Sequence, residues 1–242
     1  MKHIDAQSVS LEPPVPLPRL TERVRVWDLP TRLFHWLLAL AVIALVVTAK
    51  VGGNAMVWHF RLGYFVLGLL VFRLLWGLVG GRWSRFGSFV YKPSTTWRYL
   101  RAQGRSDEHL DVGHNPLGSF SVFGLLLILA AQLATGLVSD DEIANIGPLN
   151  RFVQTSTGLA ATGWHKGWGQ WLVIALAVLH VVAVLYYLWR KRIDLVRPMI
   201  SGDKVLPAGT PASADALPQR LLALVLALLC AALVTWVVKL GG

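Results

Sequence analysis

Cysteine and acidic residues are scarce in this sequence of 242 residues, and their scarcity excludes several classes of protein. The single cysteine, Cys230, excludes a disulfide framework, a cysteine-rich metal site and thioether attachment of a prosthetic group. Only 13 Asp and Glu residues accompany 23 Lys and Arg residues. Serine-nucleophile, phosphate-cradling and paired-carboxylate motifs are missing as well, so the sequence indicates neither hydrolytic nor kinase chemistry.

Long apolar runs dominate what the sequence does contain. Hydrophobic residues make up 55% of the chain. The runs reach roughly 17 to 23 residues, which is enough to cross a hydrocarbon core about 30 Å thick. We therefore predict an all-α membrane protein with a four-helix transmembrane bundle and a fifth, C-terminal transmembrane helix. The helices are expected over residues 33–49, 57–79, 117–138, 168–189 and 219–240.

The basic residues are distributed unequally between the two sides of these helices. Residues 1–32, 80–116 and 190–220 carry five, six and six Lys or Arg residues, whereas the segments on the other side carry one, two and one. The positive-inside rule then predicts a cytoplasmic N-terminus and an outer C-terminus. Because the positive charge borders anionic lipid, the net charge of +10 needs no nucleic-acid partner. The polar N-terminal segment shows no cleavable signal peptide, and we expect a multi-pass protein of the bacterial inner membrane.

Histidines inside the apolar runs are the candidate functional residues, since a polar imidazole in hydrocarbon is costly and marks a site by default. His165 and His180 share one predicted helix and are 15 residues apart, a rise of roughly 22 Å at about 1.5 Å per residue. They cannot bind one metal ion together. His165 and His59 are predicted to lie at the same depth in the membrane, near its outer face. His180 and His35 are predicted to share a depth near the cytoplasmic face.

Matched pairs of histidines on facing helices are typical of a bundle that holds two haems, each with two axial imidazoles. The alternative is four independently packed core histidines. Zinc or copper would need three or four ligands at one depth, and two histidines stand at each depth without a supporting carboxylate or thiolate.

Two further residues could serve such cofactors. Arg73 lies about two-thirds of the way along the second helix, where it would neutralise haem propionates or extend toward the headgroups. His114 precedes Asn115 and Pro116, a pair typical of a helix start, so it is interpreted as a turn or quinone-site residue. The third helix has no histidine and is interpreted as scaffold.

The sequence resembles the prokaryotic cytochrome b561 family, which includes the b-type subunits of nickel–iron hydrogenases. The resemblance covers roughly residues 24–197 and depends on VWDLPTRLFHW, on WHFRLGYF with RLLWGLVGGRWSRF, on GHNPLG, and on the two histidines of the fourth helix. It implies a quinol-linked electron-transfer protein with two non-covalent b-type haems. The implied iron ligands are His35, His59, His165 and His180.

The family commonly spaces the last two histidines one residue closer than they are here. At about 100° per residue, separations of 14 and 15 residues point about −40° and +60° from the starting direction, and both directions can face the bundle interior. We expect the glycines around His165 to absorb the extra residue. The fifth helix, often missing from the family, is interpreted as a peripheral anchor or packing surface.

The predicted organisation is a flexible cytoplasmic tail over 1–23, a cytochrome b domain over 24–197, a linker over 198–218 and an added transmembrane helix over 219–242. The predicted function is electron transfer between the quinone pool and a redox partner on the outer face, with possible quinol oxidation. The candidate partners are a c-type cytochrome, a hydrogenase or a molybdoenzyme. Two rivals stay open, a superoxide:quinone oxidoreductase without a protein partner and a non-redox membrane anchor.

Overall fold

Helices make up most of the computed structural model, which describes residues 20–101 and 110–241. Most of the predicted N-terminal tail lies outside these residues. In chain order the elements are β1 (Thr21–Arg25), α1 (Leu29–Val51), α2 (Ala55–Val79), α3 (Pro93–Leu100), α4 (Pro116–Leu137), α5 (Thr155–Trp164), a π turn (His165–Gly169), α6 (Gln170–Trp189), α7 (Val196–Ser201), β2 (Asp203–Pro207) and α8 (Leu217–Lys239).

Five helical stretches among the described residues are long and apolar enough to cross a membrane. They are α1, α2, α4, the continuous stretch Thr155–Trp189 and α8. The prediction of a membrane bundle with a fifth C-terminal helix is thereby confirmed. The predicted start of the third span is also observed, because the Asn115 side chain accepts a hydrogen bond of 2.7 Å from the Gly118 amide and Pro116 opens α4.

The fourth span begins earlier than its apolar run suggests. Residues 139–167, between the predicted third and fourth helices, contain α5 and the first part of the π turn, and their Gly, Thr and Ser residues do not give a helical hydropathy pattern. The remaining loop folds back on the end of α4. The amide of Gly147 donates to the Ser139 carbonyl and the amide of Leu149 donates to the Leu137 carbonyl, each at 2.8 Å. We call this side of the bundle the loop end.

The opposite side, which we call the strand end, contains a small ordered substructure that includes some residues of the predicted tail and linker. β1 pairs antiparallel with β2, with Thr21 opposite Pro207 and Arg25 opposite Asp203. Gly202 adopts a φ of 93°, and its carbonyl accepts from two consecutive amides, those of Val26 and Trp27. The Pro and Gly residues of the predicted linker therefore form turns of an ordered substructure, since their backbone groups are hydrogen-bonded.

Among the described residues, two clusters of buried side chains hold the spanning helices together, and a third cluster, of Val26, Trp27, Trp83 and Val112, lies at the strand end. The first joins α1, α2, α4 and α6 and contains Ala41, Val66, Leu70, Ile128, Leu129 and Val173. The second joins α1 and α2 to α8 and contains Phe34, Phe72, Trp76, Ala223 and Cys230. The fifth helix therefore packs mainly on α2, where the Val234 side chain lies 3.5 Å from the position a Cβ of Gly68 would take.

Candidate functional site

The structure brings the four predicted histidines together in two pairs. At the loop end, the rings of His59 and His165 have centroids 6.1 Å apart and planes 86° apart. At the strand end, the rings of His35 and His180 have centroids 6.3 Å apart and planes 55° apart. Each pair joins two helices, since α2 faces the π turn and α1 faces α6. The pairing is the one that matched depth predicted.

Both rings of the loop-end pair are held through Nδ1 by main-chain carbonyls. His59 Nδ1 lies 3.0 Å from the Leu45 carbonyl oxygen, and His165 Nδ1 lies 2.9 Å from the Gln132 carbonyl oxygen. A carbonyl can only accept, so each Nδ1 carries the proton and each Nε2 keeps its lone pair. This is the arrangement that orients metal-binding histidines in proteins.

A cavity of about 350 Å³ surrounds the loop-end pair and is lined by α1, α2, α4 and the π turn. Its volume is within the usual range for a cofactor or ligand site, roughly 300–1,000 Å³. Gly63 and Gly136 line it, and a Cβ at Gly136 would lie 3.0 Å from His165 Cε1. Small residues therefore keep the space beside the imidazoles open. Lys50 and Lys166 are two cationic residues of its lining.

His165 is the first residue of the π turn. Over residues 165–169 the helix widens, and Gly167 has a φ of −91° and a ψ of −112°, outside the helical region. A π turn absorbs one extra residue relative to an α-helix. The sequence analysis expected glycines near His165 to absorb the one extra residue in the His165–His180 spacing. The π turn, which contains Gly167 and Gly169, agrees with that expectation.

The strand-end pair has weaker support around its rings. His180 Nδ1 lies 3.5 Å from Ser121 Oγ, and His35 Nδ1 is buried without a hydrogen-bond partner among the described residues. His114 packs nearby between Trp27 and Phe89, with ring centroids at 4.7 and 4.6 Å.

His114 lies in the turn before α4, as the sequence predicts. Its Nδ1 is buried and has no partner within the described ranges. Burial, reinforced by the positive charge of Arg73, lowers the pKa of His114 to about 3. The imidazole is therefore neutral at physiological pH and has an unused polar atom beside the strand-end pair.

Arg73 is buried at the same end, with 3% of its surface exposed. Its Nη1 donates to the Ser84 carbonyl at 3.0 Å, and its guanidinium carbon lies 4.7 Å from the centroid of the Phe86 ring. It does not extend to the headgroups. The carboxylate of Asp28 interacts with the guanidinium, so Arg73 has an acidic partner within the protein.

Asp28, which the sequence analysis did not select, is fully buried and accepts four hydrogen bonds. Its Oδ1 accepts from the Thr31 amide at 2.8 Å and from Trp76 Nε1 at 3.0 Å. Its Oδ2 accepts from the Gly81 amide at 3.1 Å and from Ser84 Oγ at 2.6 Å. The available signal was an Asp directly before Leu29 and Pro30, a combination typical of a helix N-cap.

Gln132 is the other residue that was missed, because α4 was interpreted as scaffold. Its Nε2 donates to the His165 carbonyl at 2.9 Å, while its own carbonyl accepts from the ring of that histidine. The signal was an amide side chain inside an otherwise apolar membrane run. Within the described residues, no cluster of three or more His, Cys, Asp or Glu side chains could hold a metal ion.

Comparison with known proteins identifies the family to which this geometry belongs. The family model for prokaryotic cytochrome b561 matches residues 26–202. A probable Ni/Fe-hydrogenase 1 B-type cytochrome subunit of Escherichia coli strain K12 is 27% identical over 195 residues, covering 66% of this chain and 81% of the relative. Probable Ni/Fe-hydrogenase B-type cytochrome subunits of Bradyrhizobium diazoefficiens and Azotobacter vinelandii are 27% and 25% identical, covering 75% and 78% of this chain and 85% and 91% of the relatives.

No solved structure matches the chain. The family model, however, spans well over half of the 242 residues and includes all four paired histidines. The chain belongs to the prokaryotic cytochrome b561 family, whose members are membrane electron-transfer proteins with haem of the b type.

Proposed function

We propose that this protein is a di-haem cytochrome b of the bacterial inner membrane that transfers electrons between quinone and a redox partner at its loop end. The proposal rests mainly on the two facing histidine pairs, one near each end of the bundle. Bound haem would supply reversible one-electron chemistry at each pair. The protein residues supply ligation, orientation and the surrounding field.

The spacing within each pair fits a shared iron. A metal–imidazole bond is about 2 Å long and the ring centre lies about 1 Å beyond the nitrogen, so two axial imidazoles should have centroids about 6 Å apart. The observed separations are 6.1 and 6.3 Å. His59 and His165 would hold the loop-end haem through Nε2, and His35 and His180 would hold the strand-end haem.

The electron-transfer proposal can be tested on purified full-length protein in detergent. It predicts two haems per chain by pyridine haemochrome, low-spin b-type spectra, and reduction by a soluble quinol under anaerobic conditions. A protein that bound two haems but was neither reduced by quinols nor reoxidised by quinones would contradict the quinone part of the proposal. A protein without haem would contradict all of it.

We infer that quinone binds at the strand end. His114 has a buried, unpartnered Nδ1 beside His35 and His180, which suits a carbonyl or hydroxyl group of a quinone. A hydrogen-bonded chain extends outward from the next residue: Asn115 Nδ2 donates to Tyr187 Oη at 2.9 Å, and Tyr187 Oη lies 3.5 Å from Tyr99 Oη. The strongly basic loops of this end support a cytoplasmic position for it by the positive-inside rule.

Arg73 is proposed to support the strand-end haem by neutralising its propionates. Replacing Arg73 with leucine should shift the midpoint potential of that haem, because the variant removes a buried positive charge, and should leave the loop-end haem unchanged. Potentiometric titration measures both in one experiment. Two unaltered potentials would mean that Arg73 serves the protein network of Ser84 and Asp28 alone.

The partner is proposed to dock at the loop end, and the hydrogenase subunits among the relatives make a Ni/Fe hydrogenase the first candidate. The acidic loop there contains Asp140, Asp141 and Glu142. Asp141 is committed to the loop itself, since its Oδ1 accepts from the amides of Ile143, Ala144 and Asn145. Asp140 Oδ1 accepts one loop amide, that of Glu142 at 2.8 Å, and asparagine at this position would keep an acceptor oxygen, so Asp140 and Glu142 are the residues to test.

The double substitution Asp140→Asn with Glu142→Gln should slow electron exchange with the partner at low salt and have little effect at high salt, because steering by surface charge is screened. Stopped-flow haem spectra at several ionic strengths measure this rate. The variant Glu22→Gln, which alters an exposed carboxylate at the strand end, is the control. Equal rates for all three proteins at every ionic strength would exclude docking through this loop.

A further inference from the structure

We propose that Gln132 and the π turn together orient His165 toward the loop-end haem: the π turn compensates for the extra residue before His180, and Gln132 holds the histidine in the resulting direction. This inference rests on the proposed function, because it concerns how one proposed ligand is positioned. In an uninterrupted α-helix, the separation of 15 positions from His165 to His180 would place the His165 side chain about 60° to one side of the His180 side chain. Absorbing one residue in the π turn changes that direction to about 40° on the other side, a rotation of about 100°.

The side of α4 that faces the π turn is shaped to receive it. Gln132 makes two reciprocal hydrogen bonds with His165, each 2.9 Å long. Its side-chain Nε2 donates to the His165 main-chain carbonyl, and its main-chain carbonyl accepts from His165 Nδ1. One bond fixes the backbone of the histidine and the other fixes its ring. Thr135 Oγ1 adds a third polar contact, 3.3 Å from the same Nδ1.

Two glycines allow the close approach that these bonds need. A Cβ at Gly169 would collide with Gln132 Oε1 and with the Trp164 ring, and a Cβ at Gly136 would press on the His165 ring at 3.0 Å. Gln132 Oε1 is itself buried without a partner within the described residues. Burying an amide oxygen without a hydrogen-bond partner in an apolar span costs free energy of folding. This cost favours a specific positioning role for the amide nitrogen, Nε2, which bonds to the His165 carbonyl.

Two changes of helix length test the π turn. Deleting Gly167 should convert the π turn to α-helix while keeping both imidazole directions, so this variant should retain two haems per chain. Inserting one alanine between Val173 and Ile174, in regular helix, should rotate His165 by about 100° relative to His180. The ring could still face the bundle interior, but it would no longer lie opposite His59, so the haem content should fall from two to one. The strand-end haem is the internal reference for folding. Two haems in the insertion variant, or loss of the loop-end haem alone in the deletion variant, would overturn the proposal.

The substitution Gln132→Met tests the clamp without changing helix length. It removes the donor to the His165 carbonyl at similar side-chain volume, and loss of such support around a metal ligand typically weakens binding roughly 10-fold. We expect faster release of the loop-end haem to an apo-haem acceptor and a shifted potential for that haem alone. Gln219→Met is the matched control, because Gln219, on α8, is a second glutamine whose buried Oε1 has no hydrogen-bond partner in residues 20–101 and 110–241.

An unchanged release rate and potential in Gln132→Met would also overturn the proposal, even if both helix-length variants failed to fold. These outcomes are separable from failure of the proposed function. If wild-type protein bound no haem, the electron-transfer proposal itself would fail. If wild-type protein bound two haems and the variants behaved like it, only the positioning role would fail.

Discussion

Alanine at His59 or at His165 is expected to remove the loop-end haem and leave the strand-end haem in place, so that each single variant retains about one haem per chain. Alanine at His35 or at His180 should do the reverse. The reason is that each iron would need both imidazoles of its pair, and each histidine belongs to one pair alone, although both pairs use the fourth span. Pyridine haemochrome content, visible spectra and redox titration of each variant give the measurement.

Double variants test the pairing more directly, because the effects of two substitutions in one functional unit do not add. His59→Ala with His165→Ala should retain the same single haem as either substitution alone. His59→Ala with His35→Ala should lose both haems. His114→Ala is the control and should retain both. If any one of the four ligand variants retained two haems with unchanged spectra, that residue would not be an iron ligand.

Replacing Asp28 with leucine is expected to destabilise the whole strand end of the protein. The substitution would leave four buried donors without an acceptor and Arg73 without its nearby carboxylate. Breaking a buried charged network by removing one member typically costs about 3–5 kcal/mol, a large part of the stability of a domain. The expected result is poor accumulation in the membrane and early thermal loss of structure.

Thermal unfolding in detergent, followed by helical circular dichroism, measures this effect against Glu22→Gln. Glu22 lies at the same end, but its carboxylate is exposed, so its substitution should change stability by no more than about 0.5 kcal/mol. A melting temperature of Asp28→Leu within the error of the wild type would show that the network is not important for stability. Asp28→Asn should have an intermediate effect, since it keeps one acceptor oxygen and places an amide where Gly81 and Ser84 donate.

Hydropathy alone located the membrane spans, because a chain that crosses a bilayer must present a long apolar run whatever its packing. It failed at the start of the fourth span, where α5 is rich in Thr, Gly and Ser and its helical state depends on contacts with α4. It failed again over the predicted linker. There β2 needs β1 as its partner, and the two are separated by nearly the whole chain.

Counting residues along two helices was enough to pair the histidines, since depth in a membrane follows directly from position in a regular helix. The same counting could not show which way His165 points. Its direction depends on a π turn and on two bonds to Gln132, a residue 33 positions earlier.

Local composition and helical rise were enough to show that this protein spans the membrane, where its spans lie and which histidines share a depth. The folded protein was needed to show that Asp28 is a buried acceptor linking α1 to α2, that Arg73 has partners within the protein, and that α8 packs on α2. Those features depend on contacts between residues far apart in sequence, and no local pattern encodes which distant donor will reach a given carboxylate.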